Sequence, residues 1–333
     1  MTELKVSVLG GGSWGTTMAS VIARNAPTLL WARNPESVRE VQERHTNERY
    51  LPGARLSSRL AATADLAHAV GTADVLLLAV PSQTMRATLL AVREHIRPWV
   101  PVISLAKGLE LGTRKRMTEI MEELLPGHPA GALTGPNLAR EIIAGQAAAT
   151  VLAMADETIA RTLQRVFSTG LFRVYVHTDV VGGELAGALK NVMAIAAGIG
   201  DGLGAGDNTR AAVVTRGLAE LSRLGVALGG RPATFAGLAG MGDLVATCTS
   251  QHSRNRHVGE QLGRGRLMAD IGREMHMVAE GVKSAPVVME LAIGLGIEMP
   301  IAQEVNRVIG GGDPRHVLRE LLRHKTGAEW EPG

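Results

Sequence analysis

Leu4-Lys5-Val6-Ser7-Val8-Leu9-Gly10-Gly11-Gly12-Ser13-Trp14-Gly15 is the stretch whose reading decides the fold. Positions 4–9 have the alternating pattern of a strand. Gly10, Gly12 and Gly15 then take the three glycine places of a GxGxxG turn, and Met18, Val21 and Ile22 follow at helical spacing. Strand, glycine turn and helix in that order open a βαβ unit. Backbone amides at the start of such a helix point outward with partial positive charge, so a pyrophosphate can rest on them. In a chain with 40 Gly the spacing alone is weak. Its flanking strand and helix give it weight against the plainer alternative of a structural turn.

The identity of the dinucleotide is read one strand further on. Asn25-Ala26-Pro27 stops the first helix, 28–31 forms the second strand, and the chain continues Ala32-Arg33-Asn34. There is no Asp or Glu between Gly15 and Glu36 to take ribose hydroxyls, and Arg33 stands where a guanidinium meets a 2′-phosphate. NADP(H) is therefore favoured, with NAD(H) the alternative if Arg33 is only a solvated surface residue.

Further strands are expected at 75–80, closed by Pro81, and at 102–105, 131–133, 150–153 and 173–176. Strands separated by helical stretches predict a doubly wound α/β sheet. After Gly182-Gly183 strand signals stop. Leu185, Leu189, Val192, Ala196 and Ile199 form a core-facing helical stripe, Ser284 reads as the cap of a helix ending near Gly294 and Gly296, and Asp313-Pro314 starts another helix. The expected organisation is a dinucleotide-binding Rossmann-type domain over 1–182, an all-helical domain over 183–325 and a loose tail over 326–333.

Composition narrows the function classes. The 333 residues fit about two domains at ~150 residues each, and 45% hydrophobic with 20% charged residues is globular composition. Cys248 is the only cysteine, which excludes an intramolecular disulfide and fits a reducing, cytoplasmic setting. The apolar runs 75–80 and 147–155 fall short of the ~18 residues of a membrane span. Residues 1–9, with Glu3, lack the pattern of a signal peptide. A net charge of +3 is too small to indicate nucleic-acid binding, and the ten His show no metal-ligand spacing. Six of the 35 basic residues are Lys and the remaining 29 Arg. Arg keeps its proton, so a nitrogen base has few candidates.

Two of those six lysines stand in suggestive places. Lys107 follows the 102–105 strand, either at the sheet edge where α/β proteins bind ligands or as an ordinary loop lysine. Lys190, beside Asn191, interrupts an apolar small-residue helix, so it either reaches solvent or is desolvated and tuned toward proton transfer. Asp243 follows Gly240-Met241-Gly242 and reads either as a helix cap or as a site carboxylate sharing a face with Thr247. Ser253-Arg254-Asn255 suits phosphate oxygens, or is a solvated polar loop.

These stretches together resemble the bacterial-type NAD(P)-dependent glycerol-3-phosphate dehydrogenases. The resemblance is carried by the glycine turn with Ser13-Trp14, Val80-Pro81-Ser82, Leu105-Ala106-Lys107-Gly108-Leu109-Glu110 and Gly135-Pro136-Asn137-Leu138-Ala139. It continues through 185–207 with Gly187-Ala188-Leu189-Lys190-Asn191-Val192, Gly240-Met241-Gly242-Asp243-Leu244, Ser253-Arg254-Asn255-Arg256 and Glu280-Gly281. Only the tail after Lys325 lies outside it. The resemblance implies a C-terminal domain of the 6-phosphogluconate dehydrogenase type, a homodimer, no metal, and supply of glycerol 3-phosphate for phospholipid synthesis. It also implies that Ser13, Trp14, Arg33, Lys107, Ala139, Arg254, Val278 and Glu280 contact the cofactor. Lys190 would be the proton acceptor, with Lys107, Asp243 and Thr247 assisting it. Lys107, Gly135, Asn137, Lys190, Asn191, Asp243, Ser253, Arg254 and Asn255 would line the substrate. Asn137 departs from the family's usual Ser or Thr. A reductase of another 2-hydroxy or 2-oxo compound, or a non-catalytic dinucleotide sensor, are the competing readings.

Overall fold

A computed structural model describes residues 3–275 and 279–323. The expected tail, 326–333, and Val278 lie outside the described residues.

Eight strands form one sheet: β1 (Val6–Leu9), β2 (Thr28–Trp31), β3 (Leu60–Thr63), β4 (Val75–Leu78), β5 (Val102–Ser104), β6 (Ala130–Thr134), β7 (Ala148–Met154) and β8 (Phe172–His177). Their order is β3-β2-β1-β4-β5-β6-β7-β8. All neighbours are parallel except β6 and β7, and the order reverses about β1, so the sheet is of the doubly wound Rossmann type. β1 and β4 are buried throughout, as central strands covered on both faces require. The strand absent from the sequence reading is β3. Its Leu-Ala-Ala-Thr has little of the β-branched or aromatic bulk that marks a strand, and it sits at the sheet edge, paired to β2 alone.

Helices cover both faces: α1 (Ser13–Ile22), α2 (Pro35–Arg44), α3 (Leu66–Gly71), α4 (Met85–Arg93), α5 (Met117–Leu124), α6 (Ala139–Ile143) and α7 (Glu157–Phe167). The two apolar layers that result pack Val8, Ile22 and Leu77 on one side and Leu9, Leu76 and Met85 on the other.

From Val180 onward every described element is helical: α8 (Val180–Gly202), α9 (Asp207–Ala227), α10 (Pro232–Ala236), α11 (Asp243–Thr249), α12 (Arg254–Gly263), α13 (Met268–Glu274), α14 (Glu280–Leu295), α15 (Pro300–Ile309) and α16 (Arg315–Arg323). α8 is the axis of this half, and its stripe from Leu185 to Ile199 is fully enclosed. A Cβ on Gly198 would lie 2.0 Å from the Arg256 carbonyl, and one on Gly259 2.0 Å from the Ile195 carbonyl. Glycine is what lets α8 and α12 cross backbone to backbone.

With 23 residues, α8 is the one described helix long and apolar enough to cross a membrane, and 89% of its most apolar window is buried inside the protein. Glu184, Lys190 and Asp201 divide it into short apolar runs. Scanning for unbroken apolar runs therefore passes over it. Ser284 is not a cap. α14 begins at Glu280, four residues earlier, and Ser284 lies inside it, buried. The left-handed Gly296 ends that helix, and Asp313 Oδ1 accepts the Arg315 amide at 2.9 Å as a cap should.

Candidate active site

Five parallel strands deliver their following loops to one edge of the sheet. Gly10 follows β1, Arg33 follows β2, Ser82 follows β4, Lys107 follows β5, and Gly135 with Asn137 follows β6. Ligands bind along such carboxyl ends.

The glycine turn has the shape that a pyrophosphate needs. Gly10 has φ +126°, and a Cβ there would sit 2.3 Å from the Ala79 carbonyl. One on Gly15 would strike the Gly10 carbonyl at 2.0 Å. Gly12 differs, because a Cβ there would meet nothing within 4 Å. Gly12 is also the N-cap residue of α1, and no side chain caps that helix. Open space therefore adjoins uncapped amides of Ser13, Trp14 and Gly15, which fits a bound dinucleotide. Trp14 packs edge-on against Phe172, with ring centroids 6.4 Å apart. Arg33 is exposed, with no hydrogen bond or ion pair to any described residue, and Ala139 opens α6 against α1, accepting from Thr17 Oγ1 at 3.4 Å.

The two lysines converge on a single carboxylate. Lys190 Nζ donates to Asp243 Oδ1 at 2.9 Å and to Thr247 Oγ1 at 2.5 Å. Lys107 Nζ donates to Asp243 Oδ2 at 2.8 Å and to the Gly135 carbonyl at 2.6 Å. Thr247 gives its own proton to the Asp243 carbonyl at 2.6 Å, so toward Lys190 it can only accept. Lys190 is 5% exposed and Asp243 2%. Lys190 is thus buried and does not reach solvent. Its counter-charge comes from α11 and not from its own helix. Asp243 is not the cap of α11: Gly242 precedes it there, and the carboxylate turns inward to the amines. Burial pulls the Lys107 amine down to about 8; Asp243 opposes that shift and the nearby Lys190 charge adds to it.

Asn191 and Asn255, expected at the substrate, form a relay within the protein. Asn191 Nδ2 donates to the Lys107 carbonyl at 2.8 Å, Asn191 Oδ1 accepts from Asn255 Nδ2 at 2.8 Å, and Asn255 Oδ1 accepts the Gly281 amide at 3.0 Å. This chain holds the Lys107 loop against α8, α12 and α14. Ser253 caps α12 through the Arg256 amide at 3.2 Å. Arg254, the first residue of that helix, is exposed, with no hydrogen bond or ion pair to any described residue. Glu280, first in α14, accepts the Ser82 amide at 3.0 Å and also the Ser82 hydroxyl. Burial raises the pKa of this carboxyl, while its bonds to Ser82 oppose the shift.

Sequence reasoning passed over several supporting groups. Asn47 Nδ2 donates to the Gly11 carbonyl at 3.0 Å and to Thr16 Oγ1 at 2.9 Å, bracing the glycine turn from a loop outside the motif. Glu184, buried on α8, accepts from Arg116 Nη1 at 2.7 Å and the Thr118 amide at 2.9 Å, tying α8 to the start of α5. Thr150 on β7 holds Asn137. An isolated Asn, Glu or Thr carries no spacing signal that would have marked these positions. Cys248 is buried and its thiol is pushed up to about 12 by that burial, so it is a packing residue. Among the described residues no group of three or more His, Cys, Asp or Glu is placed to hold a metal ion.

Residues 5–160 match the family model for the N-terminus of NAD-dependent glycerol-3-phosphate dehydrogenase, and residues 179–319 match that for its C-terminus. The chain is 62% identical over 332 residues to a glycerol-3-phosphate dehydrogenase [NAD(P)+] of Sphingopyxis alaskensis, covering 99% of this chain and 100% of the relative. It is 58% identical to one of Mycobacterium avium, with 99% and 97% covered. The crystal structure of a glycerol-3-phosphate dehydrogenase from Coxiella burnetii superposes with a TM-score of 0.91 at 36% identity, covering 96% of this chain and 99% of that one.

Proposed function

Since the chain belongs to the NAD-dependent glycerol-3-phosphate dehydrogenase family, we propose that the two amines gathered on Asp243 are the proton-handling centre of its reaction. The protein is an NAD(P)-dependent oxidoreductase acting on a CH–OH group. It interconverts sn-glycerol 3-phosphate and NAD(P)+ with dihydroxyacetone phosphate, NAD(P)H and a proton. A nicotinamide cofactor held at the glycine turn would supply the hydride chemistry at C2.

The observation that carries the assignment is the division of hydrogen bonds at each amine. A neutral Lys190 has two N–H bonds, and Asp243 Oδ1 and Thr247 Oγ1 accept both. Its lone pair is then the group left for the C2 hydroxyl proton. In carbonyl reduction the same position, protonated, returns that proton to the C2 oxygen. Lys107 likewise has Asp243 Oδ2 and the Gly135 carbonyl as acceptors, leaving a third N–H to polarise the C2 oxygen. Asp243 fixes the direction of both amines, which is positional catalysis.

The phosphate lies with Arg254, Ser253 and Asn255, where a guanidinium with no hydrogen bond or ion pair to any described residue begins a helix. Gripping the far end of the substrate converts its binding energy into orientation at C2. Gly10, Gly12 and Gly15 with Ser13 and Trp14 hold the pyrophosphate end of the cofactor. Arg33 meets a 2′-phosphate, and Ala139, Lys107, Arg254 and Glu280 complete the cofactor site. The dinucleotide half ends at the turn before α8 and the catalytic half begins with that helix at Val180, three residues ahead of the boundary expected at 182/183. The family resemblance adds a homodimer, a cytoplasmic location and supply of glycerol 3-phosphate to phospholipid synthesis.

The test is NADPH and NADH oxidation with dihydroxyacetone phosphate, set against unphosphorylated 2-oxo compounds. Turnover restricted to the phosphorylated ketone supports this reading. Equal turnover of an unphosphorylated compound would replace it with a reductase of different specificity, and cofactor binding with no turnover of any ketone would leave a sensor.

A further inference from the structure

Asn137 has an amide whose polarity is set by its neighbours. Thr150, fully buried on β7, donates its hydroxyl proton to the Thr134 carbonyl on β6 at 2.6 Å. A threonine has one such proton, so toward any other group its oxygen can only accept. Asn137 must therefore face it with the NH₂ side, and Nδ2 lies 3.0 Å from Thr150 Oγ1. The carbonyl oxygen is left on the other side. Asn137 Oδ1 is buried and has no hydrogen-bond donor among the described residues.

The surrounding turn is tightly built. Gly135, with φ +120°, presses against Thr150, since a Cβ there would lie 3.3 Å from Thr150 Cα. The Gly135 carbonyl takes the Lys107 ammonium. Thus Asn137 stands two residues from the peptide that anchors a proton-handling amine, with an acceptor that nothing in the described protein satisfies.

We propose that Thr150 is a positioning residue that locks the Asn137 amide so that Oδ1 accepts a hydrogen bond from the substrate's primary hydroxyl. The inference rests on the reading of Asn137 as a substrate residue. Dihydroxyacetone phosphate and glycerol 3-phosphate have three polar parts, and two are already assigned, the phosphate to Arg254 and the C2 oxygen to the lysines. The remaining CH₂OH is a donor, and a lone acceptor selects for a donor. A methyl at that carbon would leave the buried oxygen unpaired, and a carboxylate would set lone pair against lone pair. The Thr150–Asn137 pair is then a specificity element for a hydroxymethyl ketone. A serine or threonine at position 137 could rotate its hydroxyl to donate or accept; the locked amide offers only an oxygen.

The experiment compares kcat/KM for dihydroxyacetone phosphate with that for hydroxyacetone phosphate, in which methyl replaces hydroxymethyl. Wild type should favour the former by about a hundredfold or more. Thr150→Val should shrink that ratio by about tenfold, in line with a hydrogen bond that is no longer oriented, and Thr150→Ser should keep it within about threefold. Asn137→Ala should shrink it similarly, and the Thr150→Val/Asn137→Ala double variant should do no more than Asn137→Ala alone. If Thr150→Val does not fold, Thr150→Ala takes its place in the same cycle. An unchanged ratio in the Thr150 variant, or ratios that multiply in the double variant, would overturn the proposal. Wild type that fails to reduce dihydroxyacetone phosphate would instead overturn the functional reading beneath it.

Discussion

Asp243 meets Lys190 across 53 residues of sequence, with Nζ 2.9 Å from Oδ1, both side chains sealed from solvent and the second carboxylate oxygen given to Lys107. One buried anion therefore serves a buried amine and a partly buried one. Removing its charge should affect stability and chemistry together. Asp243→Asn leaves the two amines facing a neutral amide, and losing one partner of a buried ionic group costs on the order of 3 kcal/mol. Urea unfolding at pH 7 should show a loss of about that size, with turnover falling by at least about a hundredfold. A variant of wild-type stability and activity would remove Asp243 from the centre of the site.

Lys107 predicts a pH limb. Its pKa is lowered from 10.5 to about 8 by burial, so the ammonium proposed to polarise the C2 oxygen is present below that pH and lost above it. The kcat/KM for dihydroxyacetone phosphate reduction should fall as pH rises through about 8. Lys107→Arg should erase that limb while lowering the plateau, since guanidinium does not titrate in this range. The sign for stability runs the other way. The folded state holds fewer protons than the unfolded state between about 8 and 10.5, so this group's contribution to stability rises with pH across that window.

The glycine turn separates folding from binding. Gly15→Ala places a methyl group against the Gly10 carbonyl and should prevent normal folding of the turn, seen as a lower Tm. In Gly12→Ala the methyl meets no protein atom. Its stability loss should stay within about 1 kcal/mol, the scale of an N-cap change, while the KM for NADPH rises by about tenfold or more as the methyl enters the space for the pyrophosphate. Equal losses of Tm in both variants would contradict this division.

Arg33 is exposed at the end of β2, with no hydrogen bond or ion pair to any described residue. Arg33→Ser should raise the KM for NADPH about tenfold or more, the scale of a charge-assisted hydrogen bond, and leave that for NADH nearly unchanged. Steady-state kinetics with each cofactor measure it, and parallel changes in both would show that Arg33 does not read the 2′-phosphate.

Local pattern exposed the sheet and the main reactive groups, and long-range placement stayed hidden. GxGxxG, the apolar run at 75–80 and the stripe on α8 are written in neighbouring residues, so strand, turn and helix periods could be read directly. β3 escaped because Ala61 and Ala62 carry little strand preference. Ser284 misled because a serine four residues into a helix looks like a cap when the true start, Glu280, is held by tertiary contacts to Ser82. At Asp243 the sequence left cap and site carboxylate undecided. The choice depended on Lys190 and Lys107, which arrive from two other elements. Asn191, Asn255 and Thr150 show the same limit, since their roles lie in where each proton goes, and that is a property of the assembled fold.

Lys190→Met provides the most direct measurement. The variant keeps length and apolar bulk and removes only the amine, so NADPH binding by fluorescence titration and dihydroxyacetone phosphate reduction can be measured on the same preparation. The account predicts NADPH affinity within about threefold of wild type and turnover lowered by about a thousandfold or more, the scale of losing a general base with its positioning. Turnover within tenfold of wild type, with NADPH still bound, would contradict the claim that Lys190 carries the proton.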